Sequence, residues 1–523
     1  MRHRGLHPQL LRNLSVLVAV GCGSSGSTQG PAPIEVPAPV SPEQLANDIG
    51  PEDVLTHVAY LASDDLLGRD TPSPGLEMAA RYLADAFASY GLEPAGDDGS
   101  YLQRYPYEER QLEWDRVAVV ATGGDEERSL RYRDDFFLIP SAEGEAEGEV
   151  VFVGSLGSVL EGLPDGVAGK MAVVTAPAHV SSELFPAIRA AGRANVAGLV
   201  IVLAPETPDA VVGLVADQIE GQGGMLAARP AIGLPYASTA ALFRSAGRDL
   251  NALRASADEG VEAPVPVGGL ALRLLAPARM NESEPANVVA VLPGRDPGLR
   301  DTYVLVTAHY DHEGVGTPDA SGDSVYNGAD DNASGTAVLL EVARALARLP
   351  VPPARSVLFL AVSGEEKGLV GSAYYAEQPT VPVSAIVGNI NIDMVGRGAP
   401  DTIISIGQEY TSLGDRARGI AEDHPSLGLA LAPDPDPEEM YFLRSDQVSF
   451  VRKNIPAIFF TTPDHEDYHR PSDEVEGIDA EKVARVARLT LLLTAAVAED
   501  QLPPAWNAGS LEEVRALLAD SPF

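Results

Sequence analysis

The chain has 523 residues, 45% of them hydrophobic, enough for two or three globular domains rather than one. Its 75 acidic and 37 basic side chains leave a formal charge of −38. A surface this negative repels nucleic acid and anionic lipid headgroups, so neither is an expected partner.

In chain order, the first segment reads as an export leader. Arg2, Arg4 and Arg12 precede an apolar run from Leu14 to Val20 that is too short to span a bilayer, and Gly21 and Cys22 follow. Cys22 is the only cysteine, which excludes an internal disulfide. Ala19-Val20-Gly21-Cys22 resembles a bacterial lipoprotein signal over residues 1–22, with Ala19 where leucine is preferred. That resemblance implies an exported protein of the cell envelope, lipid-anchored through Cys22 and otherwise periplasmic or secreted. Residues 23–48 begin Gly/Ser-rich and continue Pro-rich, the composition of a flexible tether.

Residues 49–129 open with helical spacing. Apolar positions in VLTHVAYLA recur every three or four residues, and a second helix is predicted from Leu76 to Tyr90, stopping at Gly91. Between them, Leu67-Gly68-Arg69-Asp70-Thr71-Pro72 reads as a loop. Residues 130–275 change character: valine-rich strands at 150–154, 171–175 and 198–204 alternate with turns, and one helix is expected near Phe185 to Ala194. This segment resembles the protease-associated domain, a β-rich module inserted in several peptidases. From 276 to 500, apolar strands (NVVAVLP, YVLVTA, SVLFLAV, AIVGNINIDM, TIISIG, AIFFT) alternate with helices. That order predicts an α/β three-layer sandwich with a mostly parallel central sheet buried on both faces. A short surface helix is expected in the tail, 501–523.

Metal-capable side chains fall just past the predicted strand ends. His309 follows YVLVTA, Glu365 and Glu366 follow SVLFLAV, Asp393 closes AIVGNINID, and His469 lies in the loop after AIFFT. Asp330 comes from a Gly-flanked loop that opens a helix. In a parallel sheet such positions converge in the crevice beyond the carboxyl ends of the strands. Two imidazoles and three carboxylates suit zinc, and the three negative charges of Asp330, Glu366 and Asp393 balance two zinc ions better than one.

In this order, Ala308-His309-Tyr310-Asp311-His312, Gly328-Ala329-Asp330-Asp331-Asn332-Ala333-Ser334-Gly335, Gly364-Glu365-Glu366-Lys367, Asn391-Ile392-Asp393-Met394 and Asp467-Tyr468-His469 resemble family twenty-eight of the metallopeptidases. The resemblance spans about residues 50 to 500. It implies a zinc exopeptidase fold and a peptide substrate. Asp330 would bridge two zinc ions, His309 and Asp393 would complete one site, and Glu366 and His469 the other. Glu365 would be the general base, Asp311 would orient His309, and Tyr441 or Phe442 would polarise the scissile carbonyl. The resemblance also implies a cis peptide after the bridging aspartate, expected between Asp330 and Asp331.

The resulting expectation is an aminopeptidase. Three alternatives stand beside it: a glutamate-type carboxypeptidase, for which Arg397 and Arg444 are candidate carboxylate binders; a glutaminyl cyclase-like acyltransferase; and a receptor-like binding protein without catalysis.

Overall fold

The computed structural model describes residues 40–520, apart from 124–125, 140–143, 161, 177–183, 208–229 and 258–262. The leader at 1–22, Cys22 itself and the tether as far as residue 39 lie outside the described residues. The tether expected to reach residue 48 is instead helical over Pro42–Asp48. Ser41 and Gln44 close a capping box at its start, Pro42 supplies a pre-set φ, and Leu45 and Ala46 are buried, so local chemistry and packing both favour helix there.

The principal sheet has nine strands, here labelled in chain order: β1 Glu93–Pro94, β2 Leu102–Arg104, β3 Ala286–Leu292, β4 Tyr303–His309, β5 Ser356–Val362, β6 Ile386–Ile392, β7 Thr402–Ile406, β8 Ala430–Ala432 and β9 Ala457–Thr461. Their spatial order is β1-β3-β5-β4-β6-β9-β7-β8, with β2 also pairing with β3. The central four, β5-β4-β6-β9, are all parallel, and the flanking pairs β3–β5 and β7–β9 are antiparallel. The carboxyl ends of β4, β5, β6 and β9 therefore open on one edge, with His309 in register with Val362 and Ile392 with Phe460.

Both faces of this sheet are covered, which explains the unbroken apolar runs of its strands. Val304, Val306, Phe359, Ile390 and Ile392 pack toward the helices Pro51–Leu61, Pro74–Tyr90, Gly335–Ala347 and Ala480–Glu499. Leu305, Leu358, Leu360 and Ile386 belong to the core on the other face, with Tyr375 and Phe450 from the helices Val370–Glu377 and Gln447–Val451. The helix Pro74–Tyr90 begins and ends where its sequence signals stand: Ser73 caps its N-terminus and Gly91, at φ 82°, closes it in the left-handed region.

A second sheet of eight strands runs in the order Glu126–Leu130, Ala118–Gly123, Val265–Ala276, Gly144–Ser155, Met171–Thr175, Gly198–Val202, Ala231–Leu234, Phe137–Leu138. Two of its strands, Ala118–Gly123 and Glu126–Leu130, precede residue 130, so the sheet begins earlier than the composition change suggested. A two-stranded antiparallel ribbon, Tyr107–Leu112 with Ala278–Ser283, connects it to the principal sheet. The helix Ser510–Asp520 occupies the tail.

Candidate metal centre

Beyond the carboxyl edge of the principal sheet, acidic and imidazole side chains meet in a small volume. His309, the last residue of β4, is buried, and its Nε2 lies 3.0 Å from Asp393 Oδ1 and 3.2 Å from Asp331 Oδ1. His469 Nε2 lies 3.1 Å from the other oxygen, Asp331 Oδ2, and 3.3 Å from Glu366 Oε2. One carboxylate, Asp331, thus faces His309 and Asp393 with one oxygen and His469 and Glu366 with the other. His312 stands against the second group, its Nδ1 2.8 Å from Glu366 Oε1.

Four of the five expected ligands are brought together: His309, Glu366, Asp393 and His469. Asp330 is not among them, and the aspartate in the cluster is its neighbour. The Asp330 carboxylate turns away to accept hydrogen bonds from Gly396 N at 2.6 Å and Ser334 Oγ at 3.0 Å, with His465 Nε2 3.4 Å away. The reason lies in the hydrogen bonding of the backbone. The Asp473 carboxylate accepts the backbone N–H groups of both Asp330 and Asp331, and Asn332 Oδ1 accepts those of Gly335 and Met394. That lattice fixes a sharply kinked backbone in which consecutive side chains point to opposite sides. The cis peptide is correspondingly Asp331–Asn332, one position beyond the expected Asp330–Asp331 bond.

The supporting residues are also placed. Asp311 lies with Oδ1 3.7 Å from His309 Nδ1 and accepts the Glu365 N–H at 3.2 Å, so it touches both a cluster imidazole and the backbone of the neighbouring glutamate. Ser445 donates to Asp393 Oδ2 at 2.8 Å. Glu313 Oε1 lies 3.4 Å from His469 Nδ1. Ser445 and Asp473 hold Asp393 and the 330–331 backbone. His312, Glu313 and Asp331 carried a sequence signal only as neighbours of stronger motif residues, since nothing in the linear pattern tells which way each side chain turns.

The electrostatics are those of a strongly acidic site. Burial disfavours protonation of His469, yet Glu366 and Asp331 overcome it and push the imidazole up to about 12. His309 is likewise buried, and Asp393, Asp311 and Asp331 hold it well above its ordinary value. Burial, then the charges of Glu366, Asp446 and Asp393, keep the Glu365 carboxyl well above the usual carboxylate range despite His309 nearby.

These residues fit a metal. Four overlapping groups of three side chains, drawn from His309, His312, Glu313, Asp331, Glu365, Glu366, Asp393 and His469, each offer ligand atoms within 4.8 Å of one another. Among the described residues the buried nitrogens His309 Nδ1 and His312 Nε2 find no hydrogen-bond partner. The donors are all imidazole nitrogen and carboxylate oxygen, a set that zinc accepts.

A pocket of about 350 Å³ opens over the cluster. Asp331, Glu365 and Asp393 line it together with the apolar Met394, Ile404, Ile406 and Phe459 and with Asp436 and Asp464. Tyr441 stands in its wall and donates to Asp464 Oδ2 at 3.3 Å, whereas Phe442 is buried in the core. Tyr468, also in the wall, lies against the His469 ring at a centroid distance of 3.9 Å.

Comparison with known proteins agrees with this geometry. The sequence profile of Peptidase family M28 matches residues 287–494. A probable zinc metalloprotease of Pyrenophora tritici-repentis is 28% identical over 345 residues, covering 56% of this chain and 69% of that protein. Aminopeptidase YwaD of Bacillus subtilis is 31% identical over 209 residues, covering 38% and 40%. Among solved structures, an aminopeptidase from Aneurinibacillus sp. strain AM-1 superposes with a TM-score of 0.56 at 20% identity, over 88% of this chain and 97% of that one. A zinc aminopeptidase from Bacillus subtilis gives 0.51 at 18% identity, over 85% and 94%, and these two likenesses establish the shared fold. The segment 287–494, which matches the profile of Peptidase family M28, supplies every side chain of the cluster, and the chain is a metal-dependent peptidase.

Proposed function

We propose that the chain is an aminopeptidase that works with two zinc ions. Asp331 would lie between them, His309 and Asp393 would hold one, and Glu366 and His469 the other. The observation that carries the choice of peptide end is the charge of the pocket. Its walls present Asp436 and Asp464, which suit an α-ammonium group. Of the two arginines weighed for a carboxypeptidase, Arg444 lines the pocket and Arg397 does not. Arg397 pairs with Asp467 and donates to Gly477 O at 2.8 Å. Arg444 lies over the Tyr441 ring at 4.9 Å and faces Glu439 at 3.5 Å.

Bound zinc would supply Lewis acidity, lowering the pKa of a coordinated water toward about 7 and polarising a carbonyl. The chain's own groups do the rest. Glu365, which lines the pocket, takes the proton of the attacking water and returns it to the leaving amine. Asp311 keeps His309 and the Glu365 backbone in fixed relation. The Tyr441 hydroxyl faces the substrate, and the apolar wall receives the first side chain.

The test uses paired substrates. Aminoacyl-nitroanilides with a free amine should be hydrolysed, and the N-acetylated forms should not. Equal rates on both, or full activity after thorough chelation, would overturn the proposal, and metal analysis of the active protein should return two zinc ions per chain. We also propose lipid anchoring at Cys22 and a protease-associated character for the second sheet. The first is checked by mass spectrometry of the membrane-bound protein, where an unmodified Cys22 counts against it. Replacement of the second sheet by a short link without change in substrate preference counts against the second.

A further inference from the structure

The turn Leu67-Gly68-Arg69-Asp70-Thr71 lies far from the cluster in sequence and against it in space. We infer that this turn positions the metal centre and that Arg69 is its principal positioning residue. The Arg69 side chain is fully buried, and its hydrogen bonds go to carbonyl oxygens rather than to carboxylates. Nε donates to Tyr310 O at 2.8 Å, Nη1 to Asn327 O at 2.7 Å and to Leu61 O, and Nη2 to Gly328 O at 3.1 Å. Tyr310 lies between His309 and Asp311, and Asn327 and Gly328 lead directly into Asp331. One planar guanidinium therefore fixes two of the backbone segments whose side chains meet in the cluster, a task for which its rigid fork suits it better than an ammonium group.

The next two residues secure the third segment. Asp70 pairs with Lys367 at 2.8 Å, immediately after Glu365 and Glu366. Thr71, also fully buried, donates through Oγ1 to Asp311 Oδ2 at 3.0 Å and accepts Gly364 N–H at 3.2 Å. The turn is itself held in an unusual shape: Leu67, Gly68 and Arg69 are all left-handed, at φ 48°, 66° and 51°. A Cβ on Gly68 would stand 2.4 Å from Gly314 O and 2.5 Å from Tyr326 O, so only glycine allows the approach. Its buried positive charge sits among Asp311, Asp331, Asp473 and Glu366 and offsets their mutual repulsion before metal arrives.

This inference rests on the proposal that the cluster holds zinc. The full chain is stripped of metal, and zinc affinity is measured by competition with a chromogenic chelator for the unsubstituted protein and for Arg69→Met, Arg69→Lys and Thr71→Val. Losing such supporting contacts lowers metal affinity about 10- to 100-fold, and that loss is expected for Arg69→Met. Arg69→Lys keeps the charge without the fork and should weaken binding as well, by about tenfold. Thr71→Val leaves Arg69 intact and should also weaken it by about tenfold. The unfolding temperature of the metal-free proteins is measured alongside. An arginine with only a structural role would lower that temperature and leave the zinc affinity of the folded protein unchanged, and this result would overturn the inference. Should Arg69→Met not accumulate as folded protein, the other two variants decide by the same criterion. Failure of the unsubstituted chain to bind zinc overturns the underlying reading, and this inference with it.

Discussion

Asp330 and Asp331 are adjacent, both buried, and opposite in role. Asp331 stands within 3.2 Å of two imidazole nitrogens, while Asp330 serves the backbone of Gly396 and the Ser334 hydroxyl. Asp331→Asn should therefore cost more than the roughly 100-fold loss of zinc affinity typical of a supporting residue, because it removes charge from the centre of the cluster. Asp330→Asn should keep zinc and lose about 1–3 kcal/mol of stability, the cost of disturbing a buried acceptor. Metal analysis and denaturant unfolding of the two variants separate the cases, and a reversal of the pattern would return the bridging role to Asp330. Glu365→Gln should lower kcat by about 10²–10⁴-fold while zinc content stays unchanged, since it removes a proton acceptor and no ligand. At this scale His309, Glu366, Asp393 and His469 were legible in sequence because each follows a strand end. The aspartate pair was not, since a kinked backbone decides which of two neighbours faces inward, and that kink depends on Asp473, more than a hundred residues away.

Strands explain why those four residues converge. The runs YVLVTA, SVLFLAV, AIVGNINID and AIFFT lack polar alternation because helices cover both faces of the sheet, and the crossover connections between them leave them parallel with their ends on one edge. Six strands of the principal sheet were thus readable from hydrophobic pattern, whereas the short β1, β2 and β8 were not. The limits of the second sheet were not readable either: Ala118–Gly123 and the edge strand Glu126–Leu130 are partly exposed and give little periodic signal, and the first is recruited by pairing with the distant strand Val265–Ala276 and the second by pairing with the first. The position of β4 between β5 and β6 makes it the strand on which the site depends most. Leu305, on the face opposite Val304 and Val306, is fully buried there. Leu305→Ala should destabilise the protein by about 2–5 kcal/mol through lost burial and the cavity left behind. Denaturant titration measures this, and a loss under about 1 kcal/mol would mean that the β4 packing is not as tight as the buried side chains imply.

Two sheets with separate cores imply two responses to metal. The principal sheet buries its residues in clusters that include Val306, Phe359 and Ile392 on one face and Leu305 and Leu360 on the other. The second sheet buries a different set, among them Phe152, Val173 and Leu272, and Val174 and Ile201. Every side chain of the metal cluster comes from the segment that builds the first. Without zinc, Asp331, Glu366, Asp393 and Glu365 repel one another in a buried volume, relieved by the imidazoles and Arg69. A ligand that binds only the folded state adds about 2.7 kcal/mol at a concentration 100 times its dissociation constant, and this stabilisation acts on the unit that binds it. Hydrogen exchange followed along the chain, with zinc and after chelation, should therefore show protection lost in the strands Tyr303–His309, Ser356–Val362 and Ile386–Ile392. Protection in Met171–Thr175 and Gly198–Val202 should be unchanged. Equal loss in both sheets would mean that the chain unfolds as one cooperative body. The zinc site would then stabilise the second sheet through the ribbon Tyr107–Leu112 and Ala278–Ser283 that joins them.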